Sequence, residues 1–218
     1  MITLRKKHLL IAMALSLGFA GQAKATPFAL SDGVKKQASY VLISNSAEGQ
    51  KAEDFIAKMG EQALSFLSDN NLSQSQKESK FRQLLENSFS MSTIGRFSMG
   101  RHWRTASKAQ QIEYQKLFKK KIVKVYSSRF NEYKGQGFEV VSHRVDGKKD
   151  FLVNSHVIDK NGSKVKVDWR VRHKNGKSKV IDIIIEGVSM SLTQRSDFSS
   201  VIQRGGGNVE ALLEHLRK

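Results

Sequence analysis

Three turn-forming dipeptides divide the second half of the chain, at Asp146-Gly147, Asn161-Gly162 and Asn175-Gly176. Asn-Gly and Asp-Gly favour two-residue hairpins, because both residues adopt positive φ at low cost. Their spacing of 15 and then 14 residues leaves room for one strand between each pair of turns. With the flanking segments, the pattern predicts a four-stranded antiparallel meander with strands near 137–145, 151–159, 164–173 and 178–186.

The alternation of side chains predicts which face of this sheet is buried. One face carries apolar side chains, namely Phe151, Val153, Val157, Val165, Val167, Trp169, Val171, Ile181, Ile183 and Ile185. The other face is mostly charged and carries Lys166, Asp168, Arg170, Arg172, Asp182 and Glu186. Helices must cover the apolar face. After Gly187, we expect Val188 and Met190 to extend the fourth strand.

Helical periodicity accounts for most of the remaining chain. The predicted helices span 30–43 and 51–69, start at Ser73 and at Ser107, span 194–203, and start after Asn208. Ser73 with Gln76 and Ser107 with Gln110 have capping-box spacing. The helix from Ser107 has the longest apolar stripe, which comprises Tyr114, Leu117, Phe118, Ile122, Val125, Tyr126 and Phe130. Two shorter stripes predict inward faces at Met59, Ala63, Phe66 and Leu67, and at Phe81, Leu84 and Leu85.

These elements together predict an α+β fold, in which six or seven helices pack on one face of a curved four-stranded antiparallel meander sheet. A single curved sheet with helices over one face often forms a cone. The interior of the cone is either filled by side chains or left open for an apolar ligand. The candidate lining of an apolar cavity is Ile94, Phe97, Trp103, Tyr114, Phe118, Ile122, Tyr126, Phe130, Phe151, Val153, Val167, Trp169, Val171, Ile181, Ile183, Ile185 and Val188. For Trp103 and Trp169, an ordinary place in the core is the competing interpretation.

Arginines near this lining are candidates for a phosphate-bearing head group. Arg96, Arg101 and Arg195 carry the fork of donors that suits phosphate. The competing interpretation is that each is a solvated surface charge or pairs with an acid.

The first 25 residues have the pattern of a secretory signal. A positive start at 5–8 precedes an apolar run at 9–20, and Ala23-Lys24-Ala25 supplies a small-x-small cleavage site. We expect cleavage after Ala25, which leaves 26–218 as a single domain. An uncleaved anchor is the alternative, but the run is shorter than the roughly 20 residues of a spanning helix. Because the chain also has no cysteine, we expect a soluble exported protein without disulfides or a lipid anchor on cysteine.

The chain is strongly basic, with a formal net charge of +17. The signal contributes four of these charges, so the mature protein keeps about +13. Nucleic acid is not an expected partner outside the cytoplasm. A basic surface there is better suited to anionic lipid head groups or to acidic faces of proteins.

Catalytic and metal-binding patterns are weak. The six histidines are scattered, and neither a nucleophile elbow nor a phosphate-binding glycine loop occurs. The sequence therefore predicts no catalytic residue, no metal site and no cofactor. The alternative function is an exported cone-fold enzyme, an isomerase or hydrolase, that acts on a small apolar substrate through a buried carboxylate. Asp168, Asp182 and Glu186 are its candidates, but alternation predicts that they point away from the cavity.

Two segments carry a resemblance to a known family. Residues 94–104 read I-G-R-F-S-M-G-R-H-W-R, followed by Ala106-Ser107 and Gln110. Residues 182–190 read D-I-I-I-E-G-V-S-M, and Arg195 with Phe198 follows. Both segments resemble motifs of the MlaC family, also named for toluene tolerance, and a hopanoid-associated relative shares the same pattern. The resemblance covers about residues 29–218.

The resemblance implies a function that composition alone does not. MlaC proteins are periplasmic phospholipid carriers that hold acyl chains in a deep apolar pocket. They serve an inner-membrane ABC transporter complex with an MCE-domain protein, and an outer-membrane lipoprotein–porin complex. The resemblance therefore implies phospholipid as ligand, these two complexes as partners, and no catalytic residue.

Overall fold

The computed structural model describes residues 47–218. Its seven α-helices are α1 (Ala47–Ser68), α2 (Gln74–Ser88), α3 (Met91–Met99), α4 (His102–Thr105), α5 (Lys108–Ser127), α6 (Met190–Arg204) and α7 (Val209–Arg217). A 3₁₀ turn at Phe130–Glu132 follows α5. None of these described helices combines the length and the hydropathy that crossing a membrane requires. The helix expected at 30–43 and the signal segment lie outside the described residues.

Five strands form one antiparallel sheet in the order β1-β2-β3-β4-β5. They are β1 (Gly137–Asp146), β2 (Asp150–Ile158), β3 (Lys164–Lys174), β4 (Lys177–Ile185) and β5 (Val188–Ser189). The α+β meander is thus confirmed, and its first four strands begin and end within about a residue of the expected positions.

The expected count of four strands is wrong by one short strand. Glu186 (φ 48°) and Gly187 (φ 83°) form a tight turn, so Val188 pairs back onto Ile185 instead of extending β4. Met190 then begins α6 rather than continuing a strand.

Only one of the three turn dipeptides makes a two-residue hairpin. Asn175 and Gly176 both have positive φ, at 51° and 70°, and they alone separate β3 from β4. The other two connections span three residues, 147–149, and five residues, 159–163. Each keeps its glycine at positive φ.

A β-bulge alters the predicted inward face of β4. Arg170 pairs with Asp182, but the next residue, Val171, pairs with Val180. Ile181 is the extra residue of the bulge. The fully buried Val180 takes the inward position that alternation predicts for Ile181. The two residues are both apolar and β-branched, so the only sequence sign of the bulge is that the outward Lys179 and Asp182 are three residues apart.

The predicted caps place the helix starts correctly. Ser73 with Gln76, and Ser107 with Gln110, form both reciprocal hydrogen bonds of a capping box. Asn208 accepts a hydrogen bond from the backbone N–H of Glu210 at the start of α7. The uncapped estimates were less accurate, since α1 and α6 each begin four residues earlier than periodicity indicated.

Two separate apolar cores hold the fold together. In the helical core, α3, α5, α6 and α7 pack around Tyr114, Phe118, Phe198 and Leu212. In the sheet core, α1 packs on the inner face of the sheet through a set that includes Ile56 and Val153. The space between the two cores is not filled by side chains.

Gly60 sets the closest approach of α1 to the sheet. A Cβ at this position would lie 2.3 Å from Cδ1 of Phe138, and that ring already packs edge-on against Trp169 at 6.2 Å. Helix propensity alone favours alanine by up to about 1 kcal/mol, but overpacking costs about 1–3 kcal/mol. We expect Gly60→Ala to lower the free energy of unfolding in urea. Gly137→Ala is the control, since its Cβ would meet only Ile158 at 3.8 Å. Equal or higher stability of Gly60→Ala would show that Phe138 moves freely.

Candidate functional site

A deep cavity of about 810 Å³ lies between the helices and the inner face of the sheet. This volume is near the upper end of the roughly 300–1,000 Å³ typical of small-molecule sites. The cavity is enclosed by α1, α2, α3, α5, the first turn of α6, and strands β1 to β4. It therefore occupies the gap between the two cores.

Aromatic rings form much of the cavity wall. Phe130 packs edge-on against Phe66 and Phe81, with distances between ring centroids of 6.1 Å and 5.3 Å. On the sheet side, Phe89 contacts Trp169 at 6.5 Å. Such edge-to-face pairs hold the rings in place, so the wall is apolar and pre-formed.

The one polar atom of the Trp169 indole is satisfied within the sheet. Its Nε1–H donates to Oγ of Ser155 at 2.9 Å, and that hydroxyl donates to the carbonyl of Val167 at 2.7 Å. Ser155 is almost fully buried. The arrangement leaves this part of the wall without an open donor or acceptor.

Most polar lining residues of the cavity gather at one end. Strands β1 and β3 begin, and β2 and β4 end, at the same end of the sheet, and the 3₁₀ turn precedes β1. The polar lining residues from this end of the sheet, from the turn and from nearby α6 are Arg129, Glu132, Gln136, Asp159, Ser163, Lys164, Glu186 and Gln194. We call this set the mouth of the cavity, since it is where a polar group of a ligand can reach water.

The predicted lining residues divide into two groups. Those that line the cavity are Ile94, Phe118, Ile122, Tyr126, Phe130, Val167, Trp169, Ile183 and Ile185. Those that lie elsewhere are Phe97, Trp103, Tyr114, Phe151, Val153, Val171, Ile181 and Val188. Contact between a bound ligand and the nine residues that line the cavity stays a prediction.

The residues outside the cavity have other packing roles. Tyr114 is fully buried in the helical core, with Trp103 against it at 6.3 Å. Phe151, Val153 and Val171 fill the sheet core at the end away from the mouth. Phe97 and Val188 are exposed on the outer surface.

The three candidate head-group arginines do not line the cavity. Arg195 instead stacks on the exposed ring of Phe97, with its guanidinium carbon 5.4 Å from the ring centre. The basic residues at the mouth are Arg129 and Lys164. Alternation does not identify them, but Lys164 begins a predicted strand and Arg129 directly precedes Phe130 of the predicted stripe.

Sequence and structure comparisons place the chain in a known family. The model of the MlaC protein family matches residues 57–218, from within α1 to the last residue. The chain belongs to the MlaC family. The resemblance seen in the two sequence motifs is thereby confirmed.

Two similar proteins bear on the function. The toluene tolerance protein ttg2D of Pseudomonas putida is 26% identical over 111 residues, which cover 51% of this chain and 52% of that protein. The chain thus matches about half the length of this curated relative. A phospholipid-binding protein from Ralstonia solanacearum, solved at 1.53 Å in complex with a phospholipid, is 26% identical with a TM-score of 0.66. That match covers 76% of this chain and 94% of the solved chain.

The two motifs of this MlaC-family protein meet in space. Gly100 has a φ of 60°, and a Cβ there would lie 2.8 Å from Nε of Arg195. The backbone carbonyl of Gly95 accepts a 2.9 Å hydrogen bond from the hydroxyl of Tyr114. A Cβ at Gly95 would lie 2.7 Å from Oε1 of Gln115 on α5, so the two glycines allow α3 to approach both α6 and α5.

The strand acids are engaged in hydrogen bonds. Alternation predicts that all three point away from the cavity, and Asp168 does lie on the face opposite Trp169. Asp182 and Glu186 nevertheless border the cavity, because β4 ends there and α6 begins beside it. The carboxylate of Asp182 accepts hydrogen bonds from Ser189 Oγ (2.6 Å) and Ser191 N–H (3.0 Å), and Glu186 accepts from Lys166 N–H at 2.6 Å. Within residues 47–218, no group of three or more His, Cys, Asp or Glu converges as a metal site.

Asp197 is a half-buried carboxylate on α6, beside a small side pocket that Lys121 and His215 also line. Its Oδ2 is buried and makes no hydrogen bond within residues 47–218, and burial raises the pKa of this carboxyl above its usual value of 3.8. The native state thus binds this proton more tightly than the unfolded state does. Stability is therefore lost as pH rises from about 3.8 through the raised pKa.

We expect Asp197→Asn to raise the free energy of unfolding at pH 7, by less than about 1 kcal/mol given solvent screening. The gain should shrink as pH falls through that window, and urea titrations at pH 4 and pH 7 measure it. A variant that is less stable than wild type at pH 7 would contradict this account.

Proposed function

We propose that this MlaC-family protein is a periplasmic phospholipid carrier. It takes the acyl chains into the cavity and moves lipid between an outer-membrane lipoprotein–porin complex and an inner-membrane ABC transporter complex with an MCE-domain protein. The observation that carries the proposal is the large apolar cavity with a single polar mouth. The family match and the phospholipid complex of the Ralstonia protein support it.

The energetics of chain burial suit a carrier. Burying one CH₂ group contributes about 0.8 kcal/mol, so two acyl chains of roughly 30 such groups gain about 24 kcal/mol before costs. Net affinities saturate near 18–21 kcal/mol, and ordering costs lower them further. Spontaneous release into water is therefore slow, and unloading requires a docked complex.

Native mass spectrometry of the mature protein, purified without detergent, tests the proposal. We expect about one phospholipid per chain, identified after extraction. The second measurement is the transfer of lipid from vesicles into delipidated protein. A protein that purifies empty and takes no lipid from vesicles would exclude the carrier function.

We place the phosphate of the lipid at the mouth. Arg129 lines the cavity there with its side chain 20% exposed and Nη1 3.7 Å from Oε1 of Glu132, and a guanidinium at this position suits a phosphate at the rim. Arg129→Gln should weaken phospholipid binding about fivefold, the loss expected for a partly exposed charged contact. Arg82→Gln, which removes an exposed arginine paired with Glu78 outside the cavity, is the control. Unchanged binding in Arg129→Gln would place the phosphate elsewhere.

A further inference from the structure

The outer surface of α3 and the start of α6 combines exposed apolar side chains with arginine. Phe97 is 42% exposed, Val188 53% and Leu192 55%. Arg195 lies over the Phe97 ring and three residues after Leu192, which puts the two on one face of α6. Val188 directly precedes Ser189, the N-cap of α6. We call Phe97, Val188, Leu192 and Arg195 the docking patch.

The charge around the docking patch is positive. Arg96 and Arg101 flank Phe97 in the sequence and are both exposed. Within residues 47–218, neither they nor Arg195 form an ion pair. The segment 91–105 contains no acid, Asp197 of α6 is half-buried, and Glu186 is the nearby exposed acid. These cations are therefore available for an external anion.

The docking patch and the cavity mouth share one helical turn. Met190, Ser191 and Gln194 line the cavity, whereas Leu192 and Arg195 of the same stretch face outward. Whatever binds the docking patch therefore lies beside the mouth.

We propose that the docking patch binds the surface of an anionic membrane. Exposed Phe, Leu and Val side chains enter the interface between head groups and acyl chains, and the arginines contact lipid phosphates. The docking patch with Arg96 and Arg101 comprises six residues, whereas a stable protein interface takes about 20–30 residues from each partner. The observations thus favour a bilayer over an acidic protein. The inference rests on the proposed function in one respect. If the protein carries lipid, docking is the step that brings the mouth of the cavity to that lipid.

The structural consequence is orientation. A bilayer bound at Phe97 and Leu192 holds the start of α6 against the membrane, and the mouth then opens near the head groups. A lipid then has only a short distance to cross between the cavity and a complex embedded in that membrane.

Vesicle flotation of the mature protein tests this proposal. The probes are vesicles of phosphatidylethanolamine with about one third phosphatidylglycerol, and vesicles of phosphatidylcholine alone. We expect binding to the first that weakens as salt rises, because exposed charges are screened within about 10 Å at 0.1 M salt. Arg195→Gln should lower the partition coefficient about fivefold, and Phe97→Ser with Leu192→Gln at least tenfold.

Matched controls isolate the docking patch. Ile112→Gln removes an apolar side chain that is 72% exposed on α5, and Lys120→Gln removes an exposed cation on the same helix. Both controls should bind within twofold of wild type. Equal loss in the controls, no binding to anionic vesicles, or selective binding of the docking patch to an acidic protein instead would overturn the proposal.

The same samples separate this inference from the carrier function. Native mass spectrometry on each variant reports bound phospholipid, and the docking-patch variants should keep about one lipid per chain. Protein that carries lipid but does not bind vesicles would exclude only the proposed membrane binding. Protein that carries no lipid would exclude the carrier function, whether or not it binds vesicles.

Discussion

Ala63→Trp should weaken phospholipid binding by roughly a hundredfold. Ala63 lies on the cavity-facing side of α1, so an indole there projects into space that an acyl chain would fill. Displacing about four CH₂ groups from the cavity costs about 3 kcal/mol, which corresponds to that loss of affinity. The substitution adds side chain to an open cavity and removes no existing contact, so the fold should persist.

A competition experiment measures this effect directly. Equal amounts of delipidated wild type and variant share a limiting amount of phospholipid, and native mass spectrometry resolves the two loaded species. The lipid should lie almost entirely on wild type. Ala109→Trp, at an exposed position on α5, should share lipid evenly with wild type. Even sharing with Ala63→Trp would mean that the cavity is not the lipid site.

The fold was predictable because local signals were unambiguous. The capping boxes at Ser73 and Ser107 and the Asn175-Gly176 hairpin each follow from the chemistry of a few adjacent residues. The β-bulge beside Ile181 follows instead from pairing between strands. The polar residues on either side carry its trace, because Lys179 and Asp182 pair with Arg172 and Arg170 on the same face although they are three residues apart.

The cavity was harder to predict than the fold, because a helical stripe does not say what it faces. Tyr114 and Phe118 lie on one stripe of α5, yet Tyr114 is sealed in the helical core while Phe118 also reaches the cavity. Periodicity predicts the inward stripes of α1 and α2, but it does not indicate that Met59, Ala63 and Phe81 line a cavity. Which side chains meet empty space depends on how two cores are held apart, and that is a tertiary property.

A carboxylate buried beside a cavity suggests a general base, but the hydrogen bonds of Asp182 give it a structural role. Ser189 Oγ, Ser191 N–H and Ile183 N–H all donate to it at 2.6–3.0 Å. Ser189 in turn caps α6 by accepting from Leu192 N–H at 3.1 Å. The carboxylate therefore fixes the start of α6 on the end of β4, at the turn that separates the cavity from the docking patch.

Removing this carboxylate should be strongly destabilising. Hydrogen bonds to a charged acceptor contribute about 1.5–3 kcal/mol each, and donors left buried without a partner add a penalty. With partial relaxation of the exposed side of the turn, we expect Asp182→Ala to lose about 3 kcal/mol and to lower Tm by roughly 6–12 °C. Asp182→Asn keeps one acceptor oxygen and should lose about half as much. Thermal unfolding of delipidated protein is the measurement, since bound lipid would stabilise the native state by mass action.

Asp168→Ala is the matched comparison for this prediction. Asp168 is equally buried, but it accepts one hydrogen bond, from Asn154 Nδ2 at 2.7 Å, and lies 3.4 Å from the exposed ammonium of Lys166. Its loss should therefore cost clearly less than the loss of Asp182. If the two alanine variants unfold at the same temperature, the anchoring of α6 does not depend on Asp182. If Asp182→Ala is selectively destabilised and also loses lipid faster than Asp168→Ala, the start of α6 is the wall that retains the ligand.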